Sequence, residues 1–213
     1  MEFTQVVRAR RMSRRYDPDR PVPREVVERC LDNAVRAPSA GFSQGWDFLV
    51  LSTDAERRVF WDASAEPDAS SEPDASGDDP WLAGIKGAPV LVLCLSDKDA
   101  YLDRYAAPDK GWTDRDEARW PVPYWDVDTG MAALLVLLTA TDEGLGSLFF
   151  GVPAPRHPAV KAALDIPDAR RIVGVVSLGY VVPGPKSPSL RRHRRTGSEV
   201  AHWGRFGVAG EPT

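Results

Sequence analysis

Residues 126–152, DVDTGMAALLVLLTATDEGLGSLFFGV, decide how this chain folds. Val127, Met131, Leu134, Leu135 and Leu138 recur at helical spacing and make one apolar face. Ala132, Ala133, Val136 and Leu137 fill much of the other side, so the helix is apolar nearly all round. Such a helix is buried on several faces at once, in a core or at a subunit contact. Gly144 and Gly146 are expected to end it, since glycine takes the left-handed geometry of a helix C-terminus. Ser147–Phe150 then reads as a short aromatic strand closed by Gly151, where a backbone can lie close against a ligand. A dinucleotide fingerprint needs strand, glycines, then helix. Here the order is helix, glycines, strand, and position 149 is phenylalanine, which excludes a Rossmann site.

The elements on either side follow from pattern. Pro89–Ser96 (PVLVLCLS) is a continuous apolar run of strand length, hence a central strand. Arg171–Val182 is the longest strand signal, and Pro155–Leu164 reads as a short helix before it. Trp46–Ser52 reads as a buried strand, followed by a helix over Thr53–Asp62 that opens on Thr53 or Asp54. Pro23–Ala37 is an amphipathic helix with Val27, Cys30, Leu31 and Ala34 in phase and Glu25 in its first turn. Residues 2–11 form a short helix with Val6 and Val7 inward. Residues 97–125 carry six tyrosines and tryptophans without clear period and read as an irregular, partly helical excursion bordering a pocket. Residues 62–80 break the pattern: acidic residues without a basic one, and EPDAS twice, at 66–70 and 72–76. That composition predicts a mobile acidic insertion. From residue 183 the chain becomes an arm, with Trp203 and Phe206 suited to packing on a neighbouring subunit.

The length suits a single domain over residues 1–213, and a net charge of −4 argues against a nucleic-acid partner. MEFTQVVRARR lacks the apolar core of a signal peptide, and no apolar run approaches membrane-spanning length. Cys30 and Cys94 lie far apart inside apolar patterns, as buried free thiols of a reducing, cytoplasmic setting. His157, His193 and His202 are scattered, with no metal-ligand spacing. Two basic clusters stand out: Arg8, Arg10, Arg11, Arg14 and Arg15, and then Arg191, Arg192, Arg194 and Arg195. Either is a solvated face or a clamp for phosphate or carboxylate, whose oxygens match the guanidinium fork.

Several short motifs now line up. Arg10-Arg11-Met12-Ser13-Arg14-Arg15-Tyr16 resembles the R-R-S-x-R-x-F/Y signature of the nitroreductase family of flavoenzymes. Pro38-Ser39-Ala40-Gly41-Phe42-Ser43-Gln44-Gly45-Trp46 resembles that family's A-P-S-x-x-N-x-Q-P-W. Gly144-Leu145-Gly146, the aromatic strand up to Gly151, the Leu178–Tyr180 strand end and His202-Trp203 follow in the family's order. Met12, Phe42 and Gly45 depart from it, standing where the family usually has Ser, Asn and Pro.

The resemblance implies an α+β fold, a mixed, mainly antiparallel sheet flanked by helices, in an intertwined homodimer with two FMN sites at the interface. It implies that Arg10 and Arg11 face the FMN phosphate and ribityl chain and that Arg14 faces the N1–C2=O edge of the flavin. Arg192 and Arg194 would complete the phosphate clamp, and Pro38, Ser39 and Ala40 would come from the other subunit. The amides of Gly151 and Val152 would lie near flavin N5, and Phe42 would border the substrate pocket. The implied activity is hydride transfer from NAD(P)H through FMN to an electron-poor acceptor, nitroaromatic or quinone-like, in a ping-pong cycle. A flavin store with little turnover is the rival reading. So is another reaction on the same fold: dehalogenation, flavin breakdown or deazaflavin chemistry. With the reactive centre on a cofactor, the chain needs no nucleophile or general base of its own.

Overall fold

The computed structural model describes residues 1–65, 80–184 and 191–208. They fall into two compact units, Met1–Val182 and Pro183–Thr213. The first unit is built on four strands, β1 (Trp46–Leu51), β2 (Val90–Asp97), β3 (Gly146–Phe150) and β4 (Arg170–Gly179). They lie in the order β1-β2-β4-β3, each pair antiparallel. A single parallel bridge, Met12 with Ser147, adds the other sense at the β3 edge. The result is an α+β fold with a mainly antiparallel sheet.

β2 is central and apolar throughout because both faces are covered. Val90, Val92 and Cys94 point into one core with Val176 and Leu178. Leu91, Leu93 and Leu95 point into the other with Ile172 and Val175. Helices α2 (Arg24–Ala34) and α6 (Tyr124–Asp142) fill the first side, and α3 (Asp54–Ser64) and α7 (His157–Ala163) the second. β1, expected to be buried, is an edge strand with only its ends fully covered. α3 starts at a capping box, Thr53 Oγ1 accepting from Glu56 N–H while the Glu56 carboxylate accepts from Thr53 N–H. Asp62–Ser64 complete this helix, and Pro80 opens α4 (Pro80–Lys86), so both ends of the expected acidic insertion are helical. The two EPDAS copies lie outside the described residues.

α6 is the expected helix, and within the one chain it is not buried all round. Trp125, Asp128, Thr129, Ala132, Ala133, Val136, Leu137 and Ala140 are buried. Val127 and Leu134 are exposed, while Met131, Leu135 and Leu138 are half-buried. Met131 and Leu135 still pack against the core from its margin, and Val127 and Leu134 are left pointing outward. The helix ends at Gly144 alone, in left-handed geometry with Leu145 N–H donating to Ala140 O at 2.8 Å. Gly146 serves differently: it opens β3, and a Cβ there would collide with Val181 and press on Ser13. α1 (Phe3–Ala9) buries Val6 but leaves Val7 exposed, since only a narrow side of this short helix is covered. α5 (Lys98–Ala106) opens the aromatic excursion. Among the described residues no helix is long and apolar enough to cross a membrane.

Candidate functional site

The arginine segment leaves α1 at Arg10 and is laid along the edge of the sheet. Ser13 N–H donates to Ser147 O (2.8 Å), and Asp17 N–H donates to Tyr180 O (2.9 Å). Tyr16, 4% exposed, is the anchor. Its hydroxyl donates to Ser13 O at 2.9 Å, so the Ser177 hydroxyl 2.8 Å away must donate to it. Burial pushes the Tyr16 phenol well above its ordinary pKa, against the pull of Ser177 and of the Arg14 charge. Room for the segment is made by Gly84 of α4, where a Cβ would strike the Arg14 carbonyl.

The three arginines are in different states. Arg10 is half-buried, and its Nη1 is buried without a hydrogen-bond partner among the described residues. Arg14, also half-buried, donates to the Met12 carbonyl at 3.2 Å. Arg11 curls back on the end of α1, donating to the carbonyls of Arg8 and Arg10. It lines a cleft of about 440 Å³ with Ser13, Arg20, Thr141, Gly144 and Tyr180. Arg20 stacks its guanidinium 3.4 Å over the Tyr180 ring.

The Pro38–Gln44 loop is held from behind. Asp128 is 1% exposed, and its Oδ2 accepts from Ala40 N–H and from the Tyr101 hydroxyl, both at 2.8 Å. Ser39 Oγ accepts from Gln44 N–H at 2.7 Å. Gly41, Phe42 and Gln44 all adopt left-handed backbone geometry, with φ of 62°, 58° and 51°. For Phe42 this is costly and needs surrounding support. Phe42 is 76% exposed, so it projects from the loop rather than packing under it. Gly45, where the family usually has proline, faces the Tyr101 ring, which a Cβ would meet at 2.5 Å.

Behind the loop stands the excursion of residues 97–125, whose aromatic side chains converge on Trp120. Tyr105, Trp112, Tyr124, Trp125 and Tyr101 meet its ring edge-on, with centroids 4.7–6.0 Å away. At the end of β3, Val152 is buried and its carbonyl lies 3.0 Å from His157 Nε2. Gly151 is exposed with open space where a Cβ would stand. In the second unit, Arg192 and Arg194 are exposed beside a short helix, α8 (Gly197–Val200). Arg195 is tied to the Glu199 carbonyl at 2.7 Å.

A sequence model of the Nitroreductase family matches residues 7–180. The chain belongs to the nitroreductase family. It is 32% identical over 201 residues to a 4-nitrobenzoate reductase of Nocardioides sp., covering 84% of this chain and 80% of that protein. It is 29% identical over 213 residues to an NADH dehydrogenase of Thermus thermophilus, covering 91% and 92%. Its fold matches a Desulfovibrio desulfuricans structure solved in complex with FMN. There the TM-score is 0.67 at 22% identity, over 94% of this chain and 95% of that one.

Within this nitroreductase-family chain, the two loops named from sequence do not meet. The Pro38–Ala40 turn rests on Asp128, near the start of α6, whereas Arg11 and Ser13 border Thr141, near its end. Thirteen helical residues separate the two, about 20 Å at 1.5 Å per residue. Asp128 and Tyr101 escaped the sequence reading. The one available signal was phase: Asp128 falls on the same side of α6 as Ala132 and Val136 and is a carboxylate turned inward.

Proposed function

We propose that the chain is an FMN-dependent oxidoreductase working as a homodimer, with NAD(P)H as hydride donor and an electron-poor nitroaromatic or quinone-like molecule as acceptor. The observation that carries this is Arg10: a guanidinium on a segment bonded to the sheet edge, with a buried Nη1 that has no partner among the described residues, is a donor suited to an anion. Bound FMN would supply the redox chemistry between NAD(P)H and the acceptor, in a ping-pong cycle, while these residues hold it.

The residues divide the work of holding it. Arg10 and Arg11 bind phosphate and ribityl oxygens; Arg192 and Arg194 are further phosphate ligands on the family resemblance alone. Arg14 supplies a fixed cation for charge that develops on the reduced ring. Pro38, Ser39 and Ala40 enclose the cofactor, and the amides of Gly151 and Val152 offer donors where no Cβ intrudes. Phe42 faces the acceptor.

The dimer follows from two features. The outward stripe of α6, with Leu134 47% exposed, is apolar surface without a partner among the described residues. The two loops at opposite ends of α6 can share one ligand if a second copy supplies one of them. The same apolar logic applies to the aromatic C-terminal unit. Phe42 projecting outward favours turnover over closed storage.

Visible absorption of the purified protein and the identity of the chromophore released on denaturation test the cofactor. Adding NADH or NADPH without oxygen should bleach it within seconds. A colourless protein that takes up no FMN would overturn the reading, and a deazaflavin spectrum would redirect it.

A further inference from the structure

The Pro38–Gln44 loop contains three consecutive-to-near left-handed residues, two of them not glycine, and an exposed aromatic. Such a backbone persists only where its surroundings over-determine it. Four residues do so here. Asp128 Oδ2 takes the Ala40 amide at 2.8 Å. The Tyr101 hydroxyl donates to the same oxygen at 2.8 Å, and its ring closes on Gly45. Arg104 Nε donates to Gly41 O at 3.0 Å, and the Tyr105 ring fills the space where a Cβ at 41 would be. All but Asp128 come from α5, at the base of the aromatic excursion.

We infer that Asp128 and Tyr101 form a positioning lock that holds the Pro38–Phe42 loop in its strained geometry and thereby sets the affinity for the electron acceptor. The inference rests on the reading that this loop borders the flavin and acceptor. It is Asp128, buried and bonded to both partners through one oxygen, that joins the loop to α5 and α6 at once. Tyr101 stays a donor, because burial above all, with Asp128 adding to it and Ser39 opposing, holds its phenol above the ordinary range. Neither residue touches cofactor or acceptor; both act through the loop.

The test uses Asp128→Ala, Asp128→Asn and Tyr101→Phe in the full-length protein. Hydrogen exchange at residues 40–44 reads the loop directly, with or without flavin. Losing a buried charged acceptor should speed that exchange by about tenfold or more in Asp128→Ala. Asp128→Asn, whose amide oxygen can accept both bonds, should stay close to the parent. Tyr101→Phe keeps the ring against Gly45 and remains informative if Asp128→Ala fails to fold. In steady state with NADH and a soluble quinone, the acceptor KM should rise by about tenfold in step with exchange. The reductive half-reaction with NADH should stay near the parent rate. Unchanged exchange in folded Asp128→Ala and Tyr101→Phe would overturn the lock. Faster exchange with an unmoved acceptor KM would overturn its role in acceptor binding. A parent protein that binds no flavin would instead fail the cofactor reading, and exchange alone would then decide the lock.

Discussion

The Tyr16 hydroxyl lies 2.8 Å from Ser177 Oγ, a bond across 161 positions that ties the arginine segment to β4. The ring is buried, so Tyr16→Phe preserves packing while leaving the Ser177 hydroxyl and the Ser13 carbonyl without a partner. The expected cost is about 1–3 kcal/mol. A urea melt should show the midpoint falling with unchanged slope. If the bond also aligns the arginines, FMN retention should fall in the same variant. Stability equal to the parent would show that water replaces the bond.

A second prediction concerns the outward stripe of α6. Sedimentation should give about twice the 23.4 kDa chain mass. Leu134→Asp puts a charge on an exposed helix position, where it costs the lone chain little, but in an apolar contact it is expensive. The variant should therefore sediment as a monomer and remain helical, and it should lose its flavin if each chain holds only part of the site. A flavin-loaded monomer would refute the shared site.

What sequence could reveal here depended on range. The β2 strand was legible because Val90–Leu95 is apolar on both faces, and only a central strand needs that. The α3 start was legible because Thr53 and Glu56 cap each other three residues apart. The inner side of α6 was not, since Leu134 and Val136 are equally apolar and only packing against the sheet distinguishes them. Gly45 looked like a departure from the family pattern, yet it answers Tyr101, 56 positions later. Arg11 and Arg14 are alike as letters, but one is folded onto carbonyls of its own helix end and the other is held by Gly84. These are long-range facts.

The thiols give a third prediction. Burial pushes both Cys30 and Cys94 up to about 12, so each is a neutral thiol at neutral pH. The reactive species is the thiolate. A chromogenic disulfide reagent should titrate no thiol in the native protein over minutes and both on denaturation. Rapid native labelling would mean that α2 or β2 opens readily.

Acid should loosen the aromatic excursion before the sheet. Arg104 grips Asp109 with two bonds of 2.7 and 2.6 Å, and Arg119 grips Asp114 with two of 3.0 and 2.9 Å. Each arginine holds its carboxyl below the usual range. Because the folded pKa values are lowered, this stabilisation is present above the unfolded carboxylate value of about 4 and is lost as pH falls through the lower folded values. Tryptophan emission should hold steady down to about pH 5 and shift only below about pH 4. Added salt should shrink the effect, since these pairs are exposed.

Arg14 and Arg10 separate a tuned enzyme from a flavin carrier. Arg14 is fixed by its backbone against Gly84 and, among the described residues, bonds only to Met12 O, which leaves its charge available to a ligand. If it faces the N1–C2=O edge, it favours reduced, anionic flavin over oxidised flavin. Arg10, if it holds the phosphate, favours both states alike. Arg14→Ala should then lower the two-electron potential while much of the binding survives. A charged contact worth about 1.5–3 kcal/mol corresponds to a drop of about 30–60 mV. Arg10→Ala should release FMN with little change in potential. Spectroscopic redox titration of both variants beside the parent decides the matter. An Arg14→Ala protein that loses its flavin while keeping the parent potential would make Arg14 a phosphate ligand instead.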